Sequence, residues 1–168
     1  MRNKLDEIDQ ASRTEPLKEM TRPEIDQFLT CARIGRIGLI SKEGPYIVPV
    51  GFAYSDGKIF FHTCREGLKM EAIRANPNVC FEVDESISDG SLAKSVIIWG
   101  RAEVIEDKER MIPYLQKLID KYRVPLPFSD YMVRGNRNVK EELKKVRICL
   151  IVPHSMNGKK VVRTNGNF

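Results

Sequence analysis

The spacing of apolar and polar positions changes several times along the chain, and each change marks an element. Residues 1–20 show no clean period and read as an N-terminal arm. Thr21-Arg22-Pro23-Glu24 combines a Thr cap, a proline in the first turn and Glu three residues after the cap. It predicts a helix through Phe28 and Leu29 to about Ala32. Arg36 to Ile40 then reads as a short strand, and Glu43-Gly44-Pro45 as a turn. Tyr46 to Tyr54 forms a second strand. Pro49 and Gly51 within it imply an edge, a bulge or the close approach of a ligand. Ser55-Asp56-Gly57 is a hairpin turn into Lys58–Thr63, which makes these two strands antiparallel neighbours.

Leu68, Ala72 and Ala75 recur at helical spacing with Ile73 beside them, and Asn76-Pro77 stops that helix. Val79–Val83 is a strand, 86–93 a polar loop, and Lys94–Ile105 a long strand interrupted at Gly100. Asp107 caps a helix that carries Met111, Leu115, Leu118 and Ile119 on one face and ends near Tyr122. The two prolines between Arg123 and Phe128 preclude regular structure there. Residues 129–145 read as short helices and Val146–Val152 as a last strand. The pattern predicts one mainly β, α+β barrel-like domain over 21–155 with flanking helices, followed by a tail over 156–168.

Composition narrows the class. With 168 residues, 42% apolar and 30% charged, the chain is long enough to bury its own core and reads as globular. No apolar run approaches the roughly 20 residues of a membrane-spanning helix. The polar N-terminus has no apolar leader segment, so a cytoplasmic protein is expected. The net charge of +5 is dispersed among acids, as in Lys140-Glu141-Glu142-Leu143-Lys144-Lys145. That pattern describes a solvated helix face rather than a nucleic-acid surface, and it suits a small phosphorylated ligand. Cys31, Cys64, Cys80 and Cys149 form no C-x-x-C pair, and with His62 and His154 they complete no zinc spacing; no metal site or disulfide framework is expected.

Candidate chemistry concentrates between residues 46 and 83. A strand ends at His62-Thr63, a glycine-containing turn follows, and a helix starts with Lys69 in its first turn. Free amides of a helix N-terminus favour an anion. Thr63 supplies a hydroxyl, Gly67 allows close backbone approach, and Lys69 adds a positive charge. These are the components of a phosphate site. His62 reads either as a strand histidine satisfied by the backbone or as a ligand-proximal acid–base group. Cys64 reads as a small turn residue or as a thiol near a helix N-terminus.

The run Ile59-Phe60-Phe61-His62-Thr63-Cys64-Arg65-Glu66-Gly67-Leu68-Lys69, continuing to Asn76-Pro77-Asn78-Val79-Cys80-Phe81, resembles the FMN-binding segment of the pyridoxamine 5′-phosphate oxidase-like split-barrel superfamily. The His, Glu-Gly, Lys and Asn-Pro spacing is closest to its 5-nitroimidazole reductase-like branch. Gly35-Arg36-Ile37-Gly38, Pro49-Val50-Gly51-Phe52 and Ser95 to Ala102 extend the similarity to about residues 21–155. The resemblance implies an FMN-binding split β-barrel, homodimeric, with FMN at the subunit interface. It places Thr63, Gly67 and Lys69 at the FMN phosphate, with Cys64 and Leu68 in the same loop. It places Pro49, Val50, Gly51 and Phe52 along the ribityl chain and isoalloxazine, and His62 at the flavin as the candidate catalytic residue. Ser95 would reach the flavin from the partner subunit, and Trp99 would cover the flavin or pack at the interface.

Two departures bear on activity. Leu68 stands where the oxidases carry an Arg before the phosphate Lys. The tail Lys159 to Phe168 lacks the Trp…Arg-Leu-x-Pro signature that holds pyridoxal phosphate, so pyridoxamine phosphate oxidation is not expected. The resemblance implies an oxidoreductase passing electrons from reduced FMN to a small acceptor such as a nitro compound or quinone. A non-catalytic flavin sensor and a haem-binding split barrel are the alternatives. Residues 123–137 are a candidate lid.

Overall fold

A computed structural model describes residues 17–87, 92–122, 126–134 and 138–162. The first helix, α1 (Arg22–Cys31), starts as its sequence dictates: the Thr21 amide donates to Glu24 Oε2 at 2.8 Å, and Pro23 sits in the first turn. Glu24 also pairs with Lys160, which ties α1 to the last strand, and these contacts pull the Glu24 carboxyl down to about 2. Ile25, Phe28 and Leu29 turn inward.

The strands are β1 (Lys18–Glu19), β2 (Ile34–Ser41), β3 (Gly44–Gly51), β4 (Ala53–Ser55), β5 (Lys58–Cys64), β6 (Asn78–Ser86), β7 (Leu92–Ile105) and β8 (Val146–Val162). They form one antiparallel sheet ordered β3-β2-β6-β7-β8-β5-β4, with β1 added to β8. Its two edge strands, β3 and β4, are separated in sequence by Phe52 alone, so the sheet curls on itself into a split barrel with flanking helices. Helix α2 (Leu68–Ala75) sends Ala72 and Ile73 into the barrel core beside Ile37, Phe52, Phe61, Phe81 and Ile98.

Outside the barrel, α3 (Lys108–Lys121), α4 (Phe128–Arg134) and α5 (Val139–Lys145) cover the outer face of β4, β5 and β8 with a second apolar cluster. Its members include Phe60, Met111, Leu118, Leu143 and Ile148. Asp107 caps α3, accepting from the Arg110 amide at 2.8 Å.

Three elements differ from the sequence reading. The strand expected over Tyr46–Tyr54 breaks at Phe52. β3 pairs with β2, and only β4 pairs with β5 (Ala53 opposite Phe60). The break follows from Phe52 burying its ring in the core, edge-on to Phe81, while its amide donates to the Arg33 carbonyl. The last strand does not stop at Val152 but continues to Val162. Trp99 pairs with Ser155 and Gly100 with Pro153, so His154 is the extra residue of a bulge and the missing amide of Pro153 falls where the ladder is already irregular. Gly100 is needed there, since a Cβ would lie 2.7 Å from the Val152 carbonyl oxygen. Finally, Lys18 and Glu19 pair with β8 and Met20 is buried, so the described end of the expected arm is part of the barrel. The loop expected over 86–93 is shortened at both ends, Ser86 closing β6 and Leu92 opening β7; residues 1–16, 88–91, and parts of the expected lid and tail lie outside the described residues.

Candidate functional site

The pleat of β5 divides the expected site residues between two environments. Ile59, Phe61 and Thr63 turn into the barrel, whereas Phe60, His62 and Cys64 turn outward, where Phe60 stacks edge-on against Tyr114 of α3. Thr63 is buried at 6% exposure. Gly67, the N-cap of α2, holds φ at +116°, a conformation that disfavours any side chain. The first turn of α2 then places the Lys69 ammonium 5.2 Å from the centre of the Phe61 ring, on the same face of β5 as Thr63.

Burial lowers the Lys69 pKa, and no carboxylate among the described residues offsets it. Burial in turn pushes the Cys149 thiol up to about 12. A buried hydroxyl, a helix N-terminus and a lysine without an acidic partner among the described residues form a donor set that fits a phosphate monoester. Leu68, 41% exposed, brings no charge to it.

The seam of the barrel lies beside this donor set. β4 and β5 form a ladder, but β3 separates from β5 beyond the Phe52 break, and β3 and β5 form no ladder. Pro49 is exposed, Val50 is buried, and Gly51 is backed by Tyr122, whose hydroxyl donates to the Arg33 carbonyl at 2.9 Å. The strand therefore offers a ligand its backbone and Pro49. The Phe52 ring is sealed in the core and offers no surface.

His62 opens toward a chamber of about 510 Å³ on the outer side of β5, walled by α3, α4 and α5. Burial, with the Lys69 charge as the smaller cause, holds its pKa below the usual 6.5, so the ring is neutral at physiological pH. Cys64 lines the same chamber and Phe128 and Tyr131 of α4 close one side of it. His154 lies far along β8 in the bulge, exposed.

Ser95 and Trp99 stand elsewhere. They occupy the outer face of β7, which turns its alternate residues Val96 and Ile98 into the core. The register aligns Ile47, Gly38, Cys80 and Trp99 in one row across β3, β2, β6 and β7. Ile40, Ile47, Ile97, Trp99 and Val152 are exposed apolar side chains on these strands and β8.

Two groups escaped the sequence reading. Arg147 is buried opposite Thr63, with its Nε 3.7 Å from Glu106 and without a hydrogen-bond partner among the described residues. Its signal was a lone charge in the apolar run Val146–Val152. Lys121 lies 4.4 Å from the centre of the Phe52 ring, and burial lowers its pKa to about 8. Nothing in its local sequence marks it.

Comparison with known proteins agrees with this architecture. A curated relative, an uncharacterized protein of Rhizobium meliloti (strain 1021), is 28% identical over 85 residues, which is 51% of this chain and 55% of that protein. This chain thus matches little more than half the length of that relative. A candidate 5-nitroimidazole antibiotic resistance protein from Bacteroides thetaiotaomicron VPI-5482 superposes with a TM-score of 0.71 at 23% identity, over 88% of this chain and 90% of the other. A FAD-binding protein from Mesorhizobium loti gives a TM-score of 0.66 at 24% identity, over 88% and 99%. The family model for pyridoxamine 5′-phosphate oxidase matches residues 21–160, from the α1 cap through the phosphate-type donor set to the end of the barrel, and the chain belongs to that family.

Proposed function

We propose that this protein is a flavoprotein that binds FMN at a homodimer interface and passes electrons to a small organic acceptor. The observation that carries the reading is the Thr63–Gly67–Lys69 donor set, with its lysine free of any described carboxylate, beside the open seam between β3 and β5. Family membership and the similarity in fold to a FAD-binding protein support a flavin as the occupant. When bound, the flavin supplies the redox chemistry.

The chain's own residues have separable roles. Lys69, Thr63 and the first-turn amides of α2 hold the phosphate. Pro49 and the backbone of Val50 and Gly51 line the path away from it. Neutral His62, on the other side of β5, can hydrogen-bond a polar group of flavin or acceptor and carry a proton at its ring nitrogen.

The outer sheet face supports the homodimer. A row of Ile47, Gly38, Cys80 and Trp99 flanked by Ile40 and Ile97 is an apolar surface of the kind that marks an interface. A second copy seated there would bring its Ser95 and Trp99 toward the seam.

The test is the absorbance of the purified protein before and after FMN addition and removal of the excess. Retention of about one FMN per chain supports the reading, and a protein that takes up no flavin overturns it.

A further inference from the structure

The chamber outside β5 meets the phosphate-type donor set at Thr63 but extends well beyond what a phosphate needs. Leu115, Leu118 and Ile119 of α3 make its floor, Phe128 and Tyr131 of α4 one side, and Leu143 of α5 the other. A volume of about 510 Å³ suits a molecule of one or two rings. The aromatic rings of Tyr122, Phe128 and Tyr131 supply flat apolar surface, and His62 stands at the β5 wall as a neutral polar group.

Charge decides what enters. Among the described residues the charged groups at the chamber are Glu142 and Lys145, and they pair with each other at 3.1 Å. An entering anion would lose hydration in an apolar space and face the Glu142 carboxylate, while Lys145, 72% exposed, is screened by water and offers it little. An uncharged ring meets none of these penalties.

The geometry points to a binding site for a flat, uncharged aromatic molecule, with Glu142 as the specificity-determining residue that turns anionic analogues away. Identifying the occupant with the electron acceptor rests on the redox reading above; the binding preference does not.

The experiment compares para-nitrobenzyl alcohol with para-nitrobenzoate, which differ in charge but share the ring and nitro group. Each is titrated calorimetrically into the full chain at neutral pH, as purified and after FMN saturation. The alcohol is expected to bind at least about tenfold more tightly than the benzoate, by analogy with the cost of desolvating an unpaired charge. Glu142→Gln releases Lys145 and brings the two affinities within about threefold of each other. Tyr131→Ala, at a position 39% exposed, weakens the alcohol about tenfold with an unchanged circular dichroism spectrum.

Equal affinities in the wild type, a preference for the benzoate, no binding of either probe, or insensitivity to Tyr131→Ala would each overturn the inference. FMN uptake is read on the same samples. Loss of flavin binding with the neutral preference intact overturns the flavoprotein reading alone, and the converse overturns only the chamber's selectivity.

Discussion

His62 and Thr63 are adjacent in sequence and turn opposite ways from β5: Thr63 lies on the Phe61 and Lys69 side and borders the chamber under α3–α5 at its edge, while His62 opens into that chamber. One peptide bond thus separates the hydroxyl proposed to anchor a phosphate from the imidazole proposed to meet an acceptor. The two are testable apart.

Lys69→Ala is expected to lower FMN affinity by about 1.5–3 kcal/mol, the worth of a charged hydrogen bond, with an unchanged circular dichroism spectrum. His62→Gln should leave FMN affinity within about threefold and slow acceptor reduction instead. A titration of FMN into each variant, followed by flavin reoxidation with a nitro compound, separates them. Equal loss of affinity in both variants would contradict the division.

The His62 pKa should fall below 6.5 in an NMR titration, because burial and the Lys69 charge both disfavour the imidazolium. Lys69→Met removes the smaller cause, so the value should rise while staying under 6.5. The sign for stability follows: below 6.5 the unfolded chain takes up the proton first, so acidification erodes native stability until the pH passes the folded value. His62→Gln should flatten the stability profile across that window.

Lys121 gives the complementary case. Its folded pKa of about 8 lies below the ordinary 10.5, so between those values the unfolded chain holds the extra proton. Native stability should therefore rise as the pH is raised from about 8 toward 10.5. Denaturant melts of Lys121→Met should lack this rise and, at neutral pH, show a protein at least as stable as the wild type, because the substitution removes a partly desolvated charge and forfeits only the weak 3.4 Å bond to the Leu29 carbonyl and the Phe52 contact.

Glu106 is shared between the buried Arg147 and Arg74, at 3.7 and 3.2 Å. Glu106→Gln strips the counter-charge from a buried guanidinium whose Nε already lacks a hydrogen-bond acceptor, and should cost about 1–3 kcal/mol, between the values for exposed and buried pairs. Arg147→Met should cost less than Glu106→Gln, because it leaves no buried charge behind. Thermal unfolding of the two variants decides the order.

Trp99→Glu tests the outer face. If Trp99 anchors a dimer, the substitution should weaken association by about 2 kcal/mol or more and lower FMN occupancy with it. Light scattering that finds the same mass for both proteins would remove the interface from this surface.

The strand–turn–helix over 59–77 was legible because its signals are local: the Ser55-Asp56-Gly57 hairpin turn into an apolar run ending at His62-Thr63, a glycine where φ must be positive, and Asn76-Pro77 as the stop. The break at Phe52 was not, since an apolar residue buried in the core looks like the next residue of a strand. The continuation of β8 beyond Val152 was equally hidden: Pro153 reads as a terminator until Gly100 supplies the bulge that tolerates it. The chamber has no local signature at all. Its walls come from residues near 62, 118, 128 and 143, and only the packing of α3–α5 on β5 brings them together.

β8 has one further consequence. Along one edge it pairs with β7 from Ile148 to Val162 around the bulge at His154, and along the other with β5 at Val146–Ile151 and with β1 at Lys159–Lys160. During synthesis the β2–β3 and β4–β5 hairpins can form early, but the rail that joins them into a closed wall is the last described strand to leave the ribosome. Barrel closure is therefore deferred until β8 has been synthesised, and the half-built sheet must wait with the docking edge of β5 bare.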